Sequence, residues 1–430
     1  MRARGEPAPR IARLAAEHEA IAAVVRARLC ARRGFDPTKV DGFLEELRGN
    51  FSVPLHRVLR ALVEPALGAA FTPPPAGLDL LAASRRRITA AGPLEQLREL
   101  AGRATLVFAP THSSSFDTLV LALTLAREGL PAGVYPADKH MFRNRLIGLG
   151  LRHLGSYRID RARADRVYWQ VVMEYSTVLL ERGFHSVIFP GGTRNRSNAV
   201  DSDLKGGLLR TGLRAQNVGA AARPIYVVPV TLNHLVVFEA EWLIAYELSG
   251  RAAERVVGDE LWVWGRLGTT VRRLRALEQK ISVRFGDPLP LAQYQTFEVA
   301  RLSDDLVRAY RCLTDLMVTH LAAAAVYELL AAAAGTDDVQ RLLGRSDVFE
   351  AASVHAAVAR LIERVRAHPE HGRLDADAER ASPEQIVHAA ARAFAACHRV
   401  LPFELVEGGV KVGDVGLLYF YRNRTRHLGG

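Results

Sequence analysis

Apolar residues recur at helical spacing through the first part of the chain. Ile11, Leu14 and Ala15 are followed by Ile21, Val24 and Val25, and "PLHRVLRALVEPAL" repeats the pattern. These positions predict helices from residue 8 to about residue 66. The run "FTPPPAG" at 71–77 cannot continue a helix and reads as a connector. From 104 to 290 the pattern changes. Short apolar runs, "ATLVFAP", "AGVYP", "GSYRI", "HSVIFP", "IYVVPVTL" and "ISVRF", alternate with amphipathic stretches. That alternation predicts an α/β sandwich around a largely buried sheet. Pro229, in the middle of "IYVVPVTL", removes a ladder donor and marks a bulge, an edge or a strand end. Beyond "FGDPLPL" long helical runs return, broken only by the strand-like "FELVEGGVKV" and closed by "VGLLYFYRNRTRHL". The expected division is a helical region over 1–85, an α/β domain over 86–298 and a second helical region over 299–430.

Composition narrows this picture a little. The 430 residues exceed what one core usually serves, and a 49% apolar content argues against disorder. The net charge of +11 comes almost wholly from Arg, since Lys stands only at 39, 139, 205, 280 and 411. The excess fits nucleic acid, an anionic membrane or a phosphorylated substrate and does not choose among them. Three dispersed cysteines, Cys30, Cys312 and Cys397, point to a reducing setting with no structural metal. "LVLALTLA" and "HLAAAAVYELLAAAAG" fall short of the roughly 20 apolar residues of a spanning helix, and no signal peptide is evident. Any membrane contact is therefore expected to be peripheral. Trp242, Trp262 and Trp264, near Arg266, Arg272, Arg273 and Arg275, are its candidate, unless they simply pack inside.

Four segments carry candidate chemistry. In "LVFAPTHSSSFDTLVLALTL" a strand ends at Pro110 and a helix begins near Phe116, which puts His112 in the turn. On an ideal helix two residues five apart stand about 140° apart, so His112 must fold back to meet Asp117. In that geometry Asp117 holds one imidazole nitrogen and leaves the other to take a proton from an alcohol. The amides of Ser113 to Ser115 are candidates for an oxyanion or phosphate. Helix capping by the same residues is the plainer alternative. "GLRHLGSYRIDRAR" sets Arg158 and Arg161, with Arg163 beyond, around a short strand; these suit a phosphate, but taken alone the segment reads more readily as a solvated basic edge. "HSVIFPGGTRNRSNAVDSDLKGG" follows a strand with Gly191 and Gly192, then Thr193, Arg194, Arg196 and, further on, Lys205. A phosphate grip and an ordinary turn both fit. "IYVVPVTLNH" is weak alone.

Taken in order, these segments resemble the blocks of the glycerol-3-phosphate and 1-acylglycerol-3-phosphate acyltransferase superfamily: His-x4-Asp, Gly-x-x-x-Ile-Asp-Arg, Phe-Pro-Glu-Gly-Thr-Arg-Ser and Val-Pro-Val. The resemblance covers roughly residues 90 to 290. The flanking helices and "LLYFYRNRTRHL" look, more weakly, like the larger glycerol-3-phosphate acyltransferases. It implies an α/β fold with an acyltransferase-type mixed sheet, and direct transfer without a covalent enzyme intermediate. His112, oriented by Asp117, would deprotonate a glycerol hydroxyl that attacks the thioester of acyl-CoA or acyl-carrier protein. Arg161, Arg194 and Arg196, with Arg158 and Thr193, would hold the phosphate over the Gly191–Gly192 backbone, each charge-assisted bond contributing about 1.5–3 kcal/mol.

The acceptor is expected to be glycerol 3-phosphate, with lysophosphatidate as the alternative. No cofactor, metal or nucleic acid is expected. The expected location is the cytoplasmic face of the membrane, in peripheral contact with anionic lipid. Two departures bear on substrate choice: Gly191 replaces the family glutamate, and Arg158 replaces an aromatic. A serine hydrolase using Ser113, Ser114 or Ser115 lacks a Gly-x-Ser-x-Gly elbow. An inactive membrane- or nucleic-acid-binding homologue would not need His112 and Asp117 intact.

Overall fold

A computed structural model of the chain describes residues 10–32, 34–48, 51–52, 54–56, 58, 61–62, 86–142, 154–218, 221–250 and 280–429. The expected connector at 71–77 and the Trp262–Arg275 candidate for membrane contact lie outside the described residues. All six expected strands are present. The α1 (Leu14–Cys30) and α2 (Pro37–Glu46) helices come first, then β1 (Ile88–Ala91), α3 (Leu94–Arg103), β2 (Thr105–Pro110) and α4 (Asp117–Arg127). They are followed by β3 (Tyr135–Asp138), β4 (Ser156–Ile159), α5 (Arg166–Glu181), β5 (Ser186–Val187), α6 (Gly206–Asn217), β6 (Ile225–His234), α7 (Ala240–Leu248), β7 (Ile281–Phe285), β8 (Leu289–Pro290) and α8 (Val299–Leu313).

The central sheet runs β1-β7-β6-β2-β5, with β8 also paired to β6. The β2 strand is parallel to both β5 and β6, while β6 and β7 are antiparallel, so the sheet is mixed. Alternation of side chains along a strand explains how both faces are covered. Leu106 and Phe108 of β2 join Val228, Val230 and Leu232 of β6 beneath α3 and α4. Val107 and Ala109 turn the other way, with Ile225 and Val227, toward Leu209 and Leu213 of α6 and Leu302, Leu306 and Tyr310 of α8. The α1 and α2 helices pack outside α5, against Tyr168, Val171, Val172 and Tyr175. Arg28 reinforces this by reaching Glu174 at 3.1 Å and Glu181 at 2.9 Å.

Pro229 marks neither a bulge nor a strand end. It pairs in register with Ala109 of β2. On its other side β6 changes partner, from β8 at Tyr226–Val227 to β7 from Val230 onward. The missing N–H therefore falls at a seam where the ladder needs no donor, while the Pro229 carbonyl accepts from Gly286 N at 2.8 Å.

The helical runs after 314 build a second core. The α9 helix (Val318–Ala334) is the Ala-rich run; it is buried for most of its length and ends at Gly335, whose φ of 65° is the left-handed cap. Around it stand β9 (Asp315–Leu316), β10 (Val348–Glu350), α10 (Ala351–Ala367), β11 (Arg373–Leu374), α11 (Pro383–Cys397), β12 (Phe403–Val406), β13 (Gly409–Val412) and α12 (Val415–Arg422). The β10, β13 and β12 strands form an antiparallel sheet, so this region is not purely helical. Packing also crosses the division expected at 298/299. The α8 helix belongs to the core of the central sheet, whereas Val237, Ala240, Leu243 and Ile244, in and just before α7, belong to the second core. Among the described residues no helix is long and apolar enough to cross a membrane.

The chain closes in a 3-10 turn at Asn423–Gly429 that packs back on the sheet. There the His427 imidazole falls from its ordinary 6.5 to about 4. Burial is the main cause, opposed by the hydrogen bond to the His371 carbonyl and aided by the Arg424 charge. A depressed histidine favours the folded state until it is forced to protonate. The contribution, on the order of 3 kcal/mol, is complete above pH 6.5 and is lost as pH falls from there to about 4. The melting temperature of the wild-type protein should fall more steeply across that window than that of His427→Gln; equal slopes would show that His427 does not titrate in the fold.

Candidate active site

Because β2, β5 and β6 are parallel, and β3 and β4 are parallel to each other, the segments that follow their carboxyl ends gather at one edge. That edge is where open α/β sheets place their ligands. His112 follows β2, Arg161 follows β4, Gly191 to Arg194 follow β5, and His234 ends β6. The spacing that separates these residues in sequence is the length of the intervening crossovers.

The turn after β2 is built around one carboxylate. Asp117, the first residue of α4, is wholly buried. Its Oδ2 accepts from His112 Nδ1 at 2.9 Å, Ser113 N at 2.6 Å and Ser114 N at 2.8 Å. Its Oδ1 accepts from His234 Nε2 at 2.7 Å. Burial by itself would raise this carboxyl, but the two histidines outweigh it and hold Asp117 well below the usual carboxylate range. An ionised Asp117 only accepts, so His112 carries its proton on Nδ1 and presents a bare Nε2. The imidazole is half-buried and rests on the Phe189 ring at 4.5 Å between centroids.

The rest of the turn is equally fixed. Thr111 N donates to Val230 O at 2.9 Å, and Leu232 N donates to Thr111 Oγ1 at 3.1 Å. Ser115 N donates to Glu239 Oε1 at 2.6 Å. The amides of Ser113, Ser114 and Ser115 are thus taken by Asp117 and Glu239. This corrects the expectation that they would receive an oxyanion or phosphate, because a donor already saturated by a buried carboxylate cannot serve both. Two of the three serine hydroxyls are engaged too: Ser114 Oγ turns to Glu239 at 3.3 Å, and Ser115 Oγ accepts from Arg194.

The loop after β5 clamps this turn from the other side. Asn195 N donates to His112 O at 2.7 Å, and Asp201 Oδ2 accepts from His112 N at 3.2 Å. Gly192 has a φ of 77°, and a Cβ there would stand 3.1 Å from Lys205 Cγ, so the tight turn calls for glycine. Arg161 donates to Gly192 O and lies 3.9 Å from Asp138 Oδ2, which joins the second segment to the third. Arg194 also reaches Glu239, at 3.3 Å, and is largely buried. Arg196 lies over the Tyr246 ring at 4.2 Å. Thr193 is exposed at the rim, and Lys205 pairs with Asp203 at 2.5 Å. Arg158 sits in β4, where Tyr157 and Ile159 on either side face the core under α1 and α2. The structure therefore brings His112, Asp117, Gly191, Gly192, Thr193, Arg194 and Arg161 together, with Arg194 serving partly as a bridge between loops.

Sequence reasoning missed four participants. Glu239 and the buried Arg424 stand away from the four segments, while Asp201 and His234 lie within the third and fourth without having been singled out. Arg424 donates to Leu232 O at 2.8 Å and Asn233 Oδ1 at 3.1 Å, from the C-terminal turn. Only the "NH" that closes "IYVVPVTLNH" was a usable signal, since a histidine ending a buried strand needs a partner. Gly191, Thr193, Arg194, Asp201 and Arg426 line a cavity of about 290 Å³ beside the His112 turn. Among the described residues no group of three or more His, Cys, Asp or Glu is placed to hold a metal ion.

Residues 92–233 match the family model described as Acyltransferase. That match falls on the stretch whose four segments resemble the acyltransferase superfamily. Dihydroxyacetone phosphate acyltransferase of Bos taurus is 29% identical over 234 residues, 53% of this chain and 32% of that protein. Glycerol-3-phosphate acyltransferase of Glaesserella parasuis is 31% identical over 211 residues, covering 46% and 24%. The chain thus spans a third or less of the length of these relatives. A crystal structure of the 1-acyl-sn-glycerophosphate acyltransferase of Thermotoga maritima aligns with 68% of this chain and 91% of its own, at 16% identity and a TM-score of 0.34.

Replacing Asp117 by Asn removes the charge and turns an amide donor toward one of four donors. Breaking a buried pair in this way is expected to cost about 3–5 kcal/mol of stability. Chemical denaturation at neutral pH measures it, and a loss below about 1 kcal/mol would contradict a buried ionised Asp117. The wild-type contribution is present above pH 3.8, the ordinary Asp value, and is lost as pH falls through the lower folded value.

Proposed function

We propose that this chain transfers a fatty acyl group from acyl-CoA or acyl-carrier protein to the hydroxyl of glycerol 3-phosphate. The observation that carries this reading is His112, whose Nδ1 is tied to a buried ionised Asp117 and whose backbone is held by Asn195 and Asp201, two residues of the cavity that Arg194 and Arg426 also line. The steps follow from that arrangement. His112 Nε2 takes the proton of the acceptor hydroxyl, whose oxygen attacks the thioester carbonyl carbon. The new C–O bond forms, the C–S bond breaks, and the proton passes from His112 to the leaving thiolate. The cations at the loop after β5 hold the acceptor phosphate.

The engagement of Ser114 and Ser115 with Glu239 and Arg194 favours direct transfer over a serine nucleophile. The relatives named above are called glycerol-3-phosphate and dihydroxyacetone phosphate acyltransferases, which favours a small phosphorylated acceptor over lysophosphatidate. We place the reaction at the cytoplasmic face of an anionic membrane in peripheral contact, a reading supported by the net charge of +11.

Purified protein given radiolabelled glycerol 3-phosphate and an acyl thioester should form lysophosphatidate. His112→Ala should lower that rate about 10²–10⁴-fold with the fold intact. Unchanged turnover in His112→Ala would remove the mechanism, and activity on lysophosphatidate alone would reassign the acceptor.

A further inference from the structure

Gly191 lines the cavity and faces a carboxylate. A Cβ built at Gly191 would stand 3.4 Å from Asp201 Oδ2 and 3.6 Å from Asp201 Cγ, in ordinary contact. Asp201 is buried, yet it forms part of the cavity wall together with Gly191, Arg194 and Arg426. Its two known partners are both donors: His112 N to Oδ2 at 3.2 Å and Asn195 Nδ2 to Oδ1 at 2.9 Å. Two carboxylate oxygens offer about four lone-pair sites, so this group can accept further bonds. It also lies one backbone hydrogen bond away from the base. Burial raises the Asp201 carboxyl above its ordinary value, against the pull of Asn195 and the His112 amide, and another donor entering the cavity would relieve that cost.

We propose that Asp201 accepts a hydrogen bond from the non-reacting secondary hydroxyl of the acceptor. The cavity then selects glycerol 3-phosphate over its 2-keto counterpart, dihydroxyacetone phosphate. The inference rests on the function proposed above and adds the residue that sets glycerol 3-phosphate apart from its keto counterpart. A hydroxyl can donate to the carboxylate, whereas a keto oxygen can only accept and would leave two acceptors face to face. The cations on the same wall receive the phosphate at the other end of the molecule. Asp201 also replaces, from ten residues further along the chain, the acid that the resembling family carries at position 191. Gly191 is what leaves room for the acceptor beside it.

The test measures kcat/KM for glycerol 3-phosphate and for dihydroxyacetone phosphate with one acyl thioester, products being identified by mass spectrometry. Wild type, Asp201→Asn, Gly191→Glu and the double variant are compared, with melting temperatures as a check on folding. Wild type should favour glycerol 3-phosphate by at least about tenfold, and Asp201→Asn should bring the ratio toward one, because an amide can donate to the keto oxygen. Gly191→Glu sets a second carboxylate against the first and should raise KM for glycerol 3-phosphate. The double variant, with a single acid again, should recover part of the preference.

A purely structural Asp201 would lower both rates together and leave the ratio unchanged, which would overturn the inference while leaving acyl transfer intact. If Asp201→Asn does not fold, an unchanged KM in Gly191→Glu overturns it instead. Wild-type protein that acylates neither acceptor overturns the proposed function and this inference with it.

Discussion

An ionised carboxylate removed from water survives only where donors replace its hydration, and at Asp117 four of them do so. Each donor comes with a structural requirement. Two are backbone amides, which force the chain after β2 into a tight turn. One is His112, and the other is His234, delivered by the far end of β6. The β6 strand must therefore run parallel to β2 and continue beyond it, as it does once its second neighbour changes to β7 at Pro229. The tautomer of His112 follows from the same charge. Fold and chemistry meet at one side chain.

The loops around this carboxylate are held by further buried acids rather than by solvent-facing contacts. Glu239 gathers Ser114, Ser115 and Arg194, and Asp201 takes the backbone of His112. Glu239 stands just before α7, which packs with the C-terminal core. Arg424 enters from the closing turn, and its charge bears on Asp201 and Asp117 alike. The region after residue 314 is thus continuous with the site it supports. Ser282 and Arg284 of β7 both contact Asp315, and Lys280 pairs with Asp375 at 2.6 Å, so the sheet edge is joined to that region by charge as well as by apolar packing.

The strands were legible because their apolar runs are short and bounded, and His112, Asp117 and the Gly191–Arg194 loop were legible because they form contiguous strings. The domain limits were less so. The apolar stripe of α8 shows that it is buried without showing which core receives it, and the same holds for α7. The roles of Glu239, Asp201 and Arg424 depend on contacts 125, 89 and 192 residues away in sequence, and nothing in their local pattern differs from that of a surface charge. The serine amides were misjudged for a related reason. A free helix N-terminus and one capped by its own first-turn aspartate read alike until the fold closes.

The central claim, that an ionised Asp117 fixes His112 as a base, is tested most directly by nitrogen NMR of the labelled His112 ring at neutral pH. The account expects a protonated Nδ1 in a strong hydrogen bond and an unprotonated Nε2. A ring protonated on Nε2 and bare on Nδ1 would contradict it, because that tautomer can neither donate to Asp117 nor accept the proton of the alcohol.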